Sequence, residues 1–371
     1  MIFLAFRIEY IIMLTLVTGI IYYLTKRNKL FFPAIPQKTF ILGFIAIFVF
    51  IVLNSTILLL FEHVVFRVIG VFGLLVTSFG IFLLMSLAFI DLLNLFFKFK
   101  PKIRGLYTFV LALLLTVYGT WNALSVSVKE VTIPMKGLTH EIRAVHISDI
   151  HLGNFYGKRQ VNKIVDKIKP LNPDVIFNTG DLFDTKTHFG EGKDVLSAFR
   201  SLNVPHYFVN GNHDQLVGER EVLNVLNSAN ATVLSNEIAI FGELQIIGLN
   251  NMQTDENSFD PLTKPGTETI KSVLANMIID VTLPTILLHH RPDGLNYMQE
   301  KGVDLFLTGH FHGGHFFPLS LFSKLRFGSF GHYKYETMDV NVSEGTGIFF
   351  PIRFGTKNII TLIRLVPSDI Y

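Results

Sequence analysis

The chain contains no cysteine. Disulfides, thiolate metal sites and cysteine nucleophiles are thereby excluded. The same absence fits an oxidising or a reducing compartment, so it assigns neither. Charge is scarce as well: Asp, Glu, Lys and Arg make up 16% of 371 residues, with a net charge of +3. No long basic run is present, and so small an excess argues against nucleic acid as a partner. Internal repeats and low-complexity linkers are also missing.

What the chain has in excess is apolar side chains. Half of its residues are hydrophobic, and a mean hydropathy of +0.44 implies that part of the chain sits in lipid. The excess is confined to the region before about residue 125. Four stretches there, 2–24, 40–61, 68–97 and 106–123, reach the roughly 20 residues that a helix needs to cross a bilayer. Arg7 and Glu9 fall inside the first, for which a cleavable signal peptide is the rival. No small-residue cleavage pattern follows it, and further spans come after it.

Lys26, Arg27, Lys29 and Lys38 lie between the first two spans, and Lys98, Lys100, Lys102 and Arg104 between the last two. Positive-rich loops stay inside, so everything after Ala123 is expected outside. Charges within the spans (Arg7, Glu9 and Asp91) are few and close to their ends. The helices therefore read as an anchor; a transporter or channel would need more polar intramembrane residues.

Beyond this region the periodicity changes. Residues 125–136 form a strand-like connector, and 137–371 an α/β domain. Short apolar runs at 144–147, 175–178, 207–209, 245–249, 285–288 and 305–307 alternate with helical segments. Val161, Ile164, Val165 and Ile168 recur at the i, i+3, i+4, i+7 spacing of one helix face. Alternation of this kind predicts a sheet with helices packed against it.

The polar residues fall where these strands end. Ser148-Asp149-Ile150-His151, Gly180-Asp181-Leu182-Phe183-Asp184, Asn210-Gly211-Asn212-His213-Asp214, His289-His290-Arg291-Pro292 and Gly309-His310-Phe311-His312 each follow an apolar run. Any one of them is an ordinary polar turn. Five in order, each beyond a strand, converge on one site at the carboxyl edge of a sheet. Carboxylate, amide oxygen and imidazole are the ligands that hard or borderline cations take.

In this order the motifs resemble the calcineurin-like metallophosphoesterases, and Gly345-Thr346-Gly347 with Pro351-Ile352-Arg353-Phe354-Gly355 is similar to their bacterial membrane-tethered branch. The resemblance covers about 130–371. It implies a two-sheet β-sandwich of mixed sheets flanked by helices, joined here to a bundle of about four transmembrane helices. It also implies two divalent metal ions (Mn, Fe or Zn), one held by Asp149, His151, Asp181 and His312. The second would take Asp181, Asn212, His290 and His310, with Asp181 bridging.

His290 is preferred to His289 because the family's ligand stands as His-x-Pro, as in His290-Arg291-Pro292. His213 corresponds to the histidine that contacts the phosphoryl group or protonates the leaving oxygen; Asp184 and Asp214 would orient ligands. Phe311 and His315 replace the Thr and Gln common in the tethered relatives, which alters the groove and not the metal set.

The expected function is hydrolysis of a phosphoester or pyrophosphate bond by an integral protein of a bacterial cytoplasmic membrane, on a membrane-associated and possibly lipid-linked substrate. The alternative is an extracytoplasmic metal-binding sensor, or a component of an envelope complex, without turnover. Arg353 contacts a phosphate or sits on the surface; His188, His206 and His332 are expected in loops or on the surface. Phe316, Phe317, Leu319, Leu321 and Phe322 form either an apolar lip that dips into the bilayer or a loop packed on the core.

Overall fold

A computed structural model describes residues 64–368, apart from 154–155, 185–195, 253–267, 328–329 and 349, together with short helical stretches between 22 and 49. The first two expected spans lie largely outside the described residues, as does His188. The chain divides into two units, Met1–Tyr118 and Gly119–Tyr371.

In the first unit, helix α1 spans Val64–Phe97 and helix α2 begins at Pro101, running to Ala123 just inside the second unit. Among the described residues, two helical segments are long and apolar enough to cross a membrane, Val68–Phe97 and Pro101–Ala123. Phe72, Leu92, Leu95, Phe96, Leu106 and Leu114 are exposed along them. That outward apolar surface is what lipid solvates and water does not.

The last helix starts five residues earlier than its hydropathy predicted, because Pro101 suits the first helical position, where no N–H is needed. Lys102 and Arg104 are consequently helical rather than in a loop. Arg104 pairs with Asp91, which also binds Arg27 at 2.7 Å.

The second unit is built on two six-stranded mixed sheets. In the first sheet, β1 (Val126–Met135) lies beside β12 (Asn358–Pro367), followed by β2 (Ile142–Ile147), β3 (Val175–Asn178), β4 (His206–Phe208) and β5 (Ala231–Val233). The second sheet runs in the order β10 (Gly331–Tyr335), β11 (Met338–Val342), β9 (Leu305–Thr308), β8 (Thr285–Leu288), β7 (Leu244–Gly248) and β6 (Glu237–Phe241). The stretch expected as a connector is thus a full strand of the first sheet. It pairs in parallel with β12 from Val126↔Asn358 to Met135↔Pro367.

Ala144, Val175, Phe177, Ile286, Leu288, Leu305 and Leu307 interlock between the sheets. On the outer face of the first sheet, Val145, Ile147 and Ile176 pack on helix α3 (Lys158–Ile168) through the predicted stripe Val161, Ile164, Val165 and Ile168. On the outer face of the second, Leu287 and Phe306 pack under helices α4 (Ile270–Asn276) and α5 (Leu295–Glu300). The central parallel strands are apolar on both faces because both faces are covered.

One buried polar bridge joins the sheets: Asn341 Nδ2 donates to His146 Nδ1 at 2.8 Å, and His146 Nε2 lies 3.0 Å from Thr179 Oγ1. His206, expected in a loop or on the surface, is buried in β4 against the Phe199 ring, and burial lowers its pKa to about 4. The preceding Asn203-Val204-Pro205 reads locally as a turn, whereas Ile176 N donating to Pro205 O draws the segment into the sheet. His332 also stands in a strand, β10, and pairs with Asp339 at 2.7 Å.

Candidate metal centre

The polar tips of β2, β3, β4, β8 and β9 meet at one edge of the two sheets. Their backbones curl sharply: Asp149 (φ 54), His151 (φ 51), Asp181 (φ 51), His310 (φ 77) and His312 (φ 50) all occupy the left-handed region. Each such residue costs on the order of 1–3 kcal/mol, and such strain persists where surrounding structure overdetermines it. Here the tips are stitched to one another. Asp149 N donates to Gly180 O at 2.8 Å, His151 N to Asp181 O at 3.0 Å, and Gly309 N to His290 O at 2.8 Å. A Cβ at Gly211 would overlap the Asp181 carboxylate, so only glycine lets this loop approach so closely.

The side chains form two separate clusters, and a third group, His151, Asp184 and His213, shares His151 with the first. In the first, the ligand atoms of Asp149, His151 and His312 lie within 4.8 Å of one another, with His151 Nε2 2.9 Å from His312 Nε2. In the second, Asp181, His290 and His310 lie within the same limit. His290 Nε2 is 3.2 Å from Asp181 Oδ2, and His310 Nδ1 is 3.1 Å from Asn212 Oδ1. Asp181 Oδ2 also stands 3.7 Å from His151 Nε2, between the clusters.

Imidazole nitrogens that face each other this closely cannot all keep their lone pairs unshared in a buried site. A cation among them satisfies the nitrogens and the carboxylates together, so the donor set fits divalent metal.

Electrostatics agree with that fit. Burial pushes the His151 and His312 pKa values well below the ordinary one, leaving neutral rings with a lone pair to donate. Burial also works against the Asp181 carboxylate, yet the surrounding His290, His213 and His151 rings win and hold it below the usual range. His290 is the reciprocal case: burial lowers it, Asp181 outweighs burial, and its pKa rises to about 9. Asp149 is pushed up to about 6 by burial, against the pull of His290. This concentration of opposed, buried groups is the electrostatic mark of a functional site.

The remaining expected residues surround these clusters. His290 Nδ1 donates to Thr179 O at 2.7 Å, which turns Nε2 towards Asp181. His289 is also buried, but its Nδ1 is bound to Arg291 O at 2.8 Å. His213 is half-buried; its backbone N donates to Asp181 Oδ1 at 2.9 Å and its Nδ1 to Asp184 O at 3.0 Å. The Asp184 carboxylate lies 3.6 Å from His213 Nδ1 and 3.8 Å from His151 Nδ1.

Asp214 touches neither cluster. Its Oδ1 accepts from Leu182 N at 3.0 Å and Phe183 N at 3.2 Å, and its Oδ2 accepts from Gly211 N at 2.9 Å, joining the β3 and β4 tips. Asp214→Ala leaves those three buried donors unpaired and is expected to destabilise the domain by about 3 kcal/mol. Thermal unfolding of the purified chain checks this; an unchanged midpoint would contradict it.

Arg353 matches neither of its expected roles. It is fully buried, with Nη1 donating to His312 O at 2.6 Å and Nη2 to Gly347 O at 3.1 Å, so it braces the His312 turn from beneath. His315, noted in sequence only as a departure, stacks on the His312 ring at 4.5 Å. Its proximity to His312 in sequence was the available signal.

Two mixed sheets between helices, with carboxylates and histidines gathered at the strand tips, form an α/β scaffold whose donor groups could hold metal ions. Residues 142–314 match the family model described as calcineurin-like phosphoesterase. An uncharacterized metallophosphoesterase of Helicobacter pylori (strain J99) is 31% identical over 249 residues, covering 65% of this chain and 64% of that protein. A Danio rerio transmembrane protein with metallophosphoesterase domain is 30% identical over 283 residues, covering 69% of this chain and 62% of that one. The phosphodiesterase YaeI of Escherichia coli is 23% identical over 239 residues, covering 60% of this chain and 82% of its own. The match thus spans a little under two thirds of the first two relatives. The chain carries a calcineurin-like metallophosphoesterase domain.

Proposed function

We propose that this chain is a membrane-anchored phosphohydrolase that cleaves a phosphoester or pyrophosphate bond with two divalent ions. The observation that supports this most is Asp181, whose carboxylate stands within 3.2 Å of His290 and 3.7 Å of His151, between both ligand clusters. Asp149, His151, Asp181 and His312 would hold one ion, and Asp181, Asn212, His290 and His310 the other. Bound there, the ions supply positive charge against the phosphoryl oxygens and lower the pKa of water. His213, whose side chain keeps 21% exposure, delivers a proton to the departing oxygen. Asp184 O holds its Nδ1, fixing the ring's orientation.

The test is hydrolysis of mono- and bis-p-nitrophenyl phosphate by the detergent-purified full chain, first metal-free and then with added manganese. Turnover only with metal is expected. Two tightly bound ions without turnover on any phosphoester would instead favour a sensor.

The same reading places the protein in a bacterial cytoplasmic membrane, with the catalytic domain outside and a membrane-associated substrate. The positive residues flanking the helices support the orientation, and the relative named as a transmembrane protein supports membrane association alone. A C-terminal reporter active only outside the cytoplasm should be active; a silent, well-expressed fusion would reverse the orientation.

A further inference from the structure

The short loop that follows the last histidine motif runs into a helix, Leu319–Phe327, and together they expose Phe317, Leu319, Leu321 and Phe322, the last at 63%. Large apolar side chains clustered on a surface mark an interaction site. What covers these is indicated by the bonds at their base. Phe317 N donates to Phe354 O at 2.8 Å, and Thr356 Oγ1 donates to His315 O at 2.5 Å, which fixes the loop to segment 353–358. The same segment grips the end of α2. Arg353 N donates to Gly119 O at 3.0 Å, while Asn122 Nδ2 donates to Arg353 O at 3.0 Å and Thr356 O at 2.8 Å.

The end of an apolar helix of bilayer-spanning length is where a chain leaves the hydrocarbon. The one tryptophan of the sequence, Trp121, stands 64% exposed on that last turn, and tryptophan gathers at the membrane–water boundary. Loop and helix end therefore share one short anchor inside the second unit. The loop also begins at the metal-type cluster: His315 N donates to His312 O at 3.1 Å.

We propose that Phe317, Leu319, Leu321 and Phe322 insert into the lipid surface where α2 leaves it, so that the neighbouring site acts on phosphate esters carried by bilayer lipids. The substrate half of this inference rests on the phosphohydrolase reading above; the docking half does not. A phosphate at headgroup depth can then reach the site while its acyl chains stay in the bilayer. A soluble ester gains nothing from the inserted loop.

Because the chain lacks cysteine, a single Leu321→Cys takes one polarity-sensitive fluorophore. The labelled full chain is placed in nanodiscs of phosphatidylcholine and phosphatidylglycerol containing spin-labelled lipid. A blue shift and quenching are expected at this position and not at Ile278→Cys, a control site 93% exposed on the same unit. Absence of quenching at Leu321→Cys overturns the docking.

In unlabelled discs, the Leu321→Ser/Phe322→Ser variant should cleave a phospholipid bearing a p-nitrophenyl headgroup at least about tenfold more slowly than the parent. Its rate on bis-p-nitrophenyl phosphate should stay near that of the parent. Equal losses on both substrates overturn the substrate half. A parent chain inactive on both refutes the phosphohydrolase reading instead, and the fluorophore still decides docking.

Discussion

Asp181→Asn is expected to lower turnover of p-nitrophenyl phosphate by about a thousand-fold and to reduce bound metal below two ions per chain. Asparagine keeps the shape of the side chain and one oxygen, so the domain should fold. It removes the negative charge from a buried point shared by both clusters. It can also turn an amide N–H towards Nε2 of His290 or His151, where it would compete with an ion for the ring nitrogen. Charge and lone-pair supply both fall, and both are what a divalent ion requires.

The measurement is kcat alongside metal content in the same preparation. His289→Ala serves as the comparison, since that ring is bound to Arg291 O and should leave metal content unchanged. Full activity in purified Asp181→Asn protein would sink the ligand assignment.

His213→Ala should behave differently, lowering kcat by about 10²–10⁴-fold while both ions stay bound. The bond from His213 to Asp181 Oδ1 comes from its backbone N, so alanine preserves it and only the ring is lost. Burial lowers the pKa of that ring, but Asp181 and the Asp184 carbonyl outweigh burial and raise it above the ordinary histidine value. That direction favours the protonated imidazole, the form that a leaving oxygen needs. The loss should therefore be larger for alkyl esters than for p-nitrophenyl esters, whose leaving group departs with less protonation. A loss of the same size across both leaving groups would argue against proton donation by His213.

Much of this centre is legible before any fold is known, because its chemistry is local. Residues 175–178 and 285–288 are strands at the predicted positions, and the polar residues beyond them are the ones that gather in the site. The helix face at Val161, Ile164, Val165 and Ile168 is buried as its spacing requires. Other features have no local signature. Pro205 before His206 reads as a turn, yet the strand pairing of β3 and β4 buries that histidine. Arg353 gives no sign in sequence that its guanidinium is fully enclosed beneath His312.

Sequence by itself determined which side chains this protein could bring to a cation, which runs would be strands, and which region is apolar enough for lipid. Those properties depend on residue type and on periods of two or 3.6, which operate over a few neighbours. Tertiary structure decided the rest. It paired β1 with β12 across more than two hundred residues, turned His290 rather than His289 towards Asp181, and tied segment 353–358 to both the end of α2 and the loop beyond His315. Such choices depend on which distant backbone groups and cavities remain to be satisfied once both sheets have packed, and no local pattern carries that information.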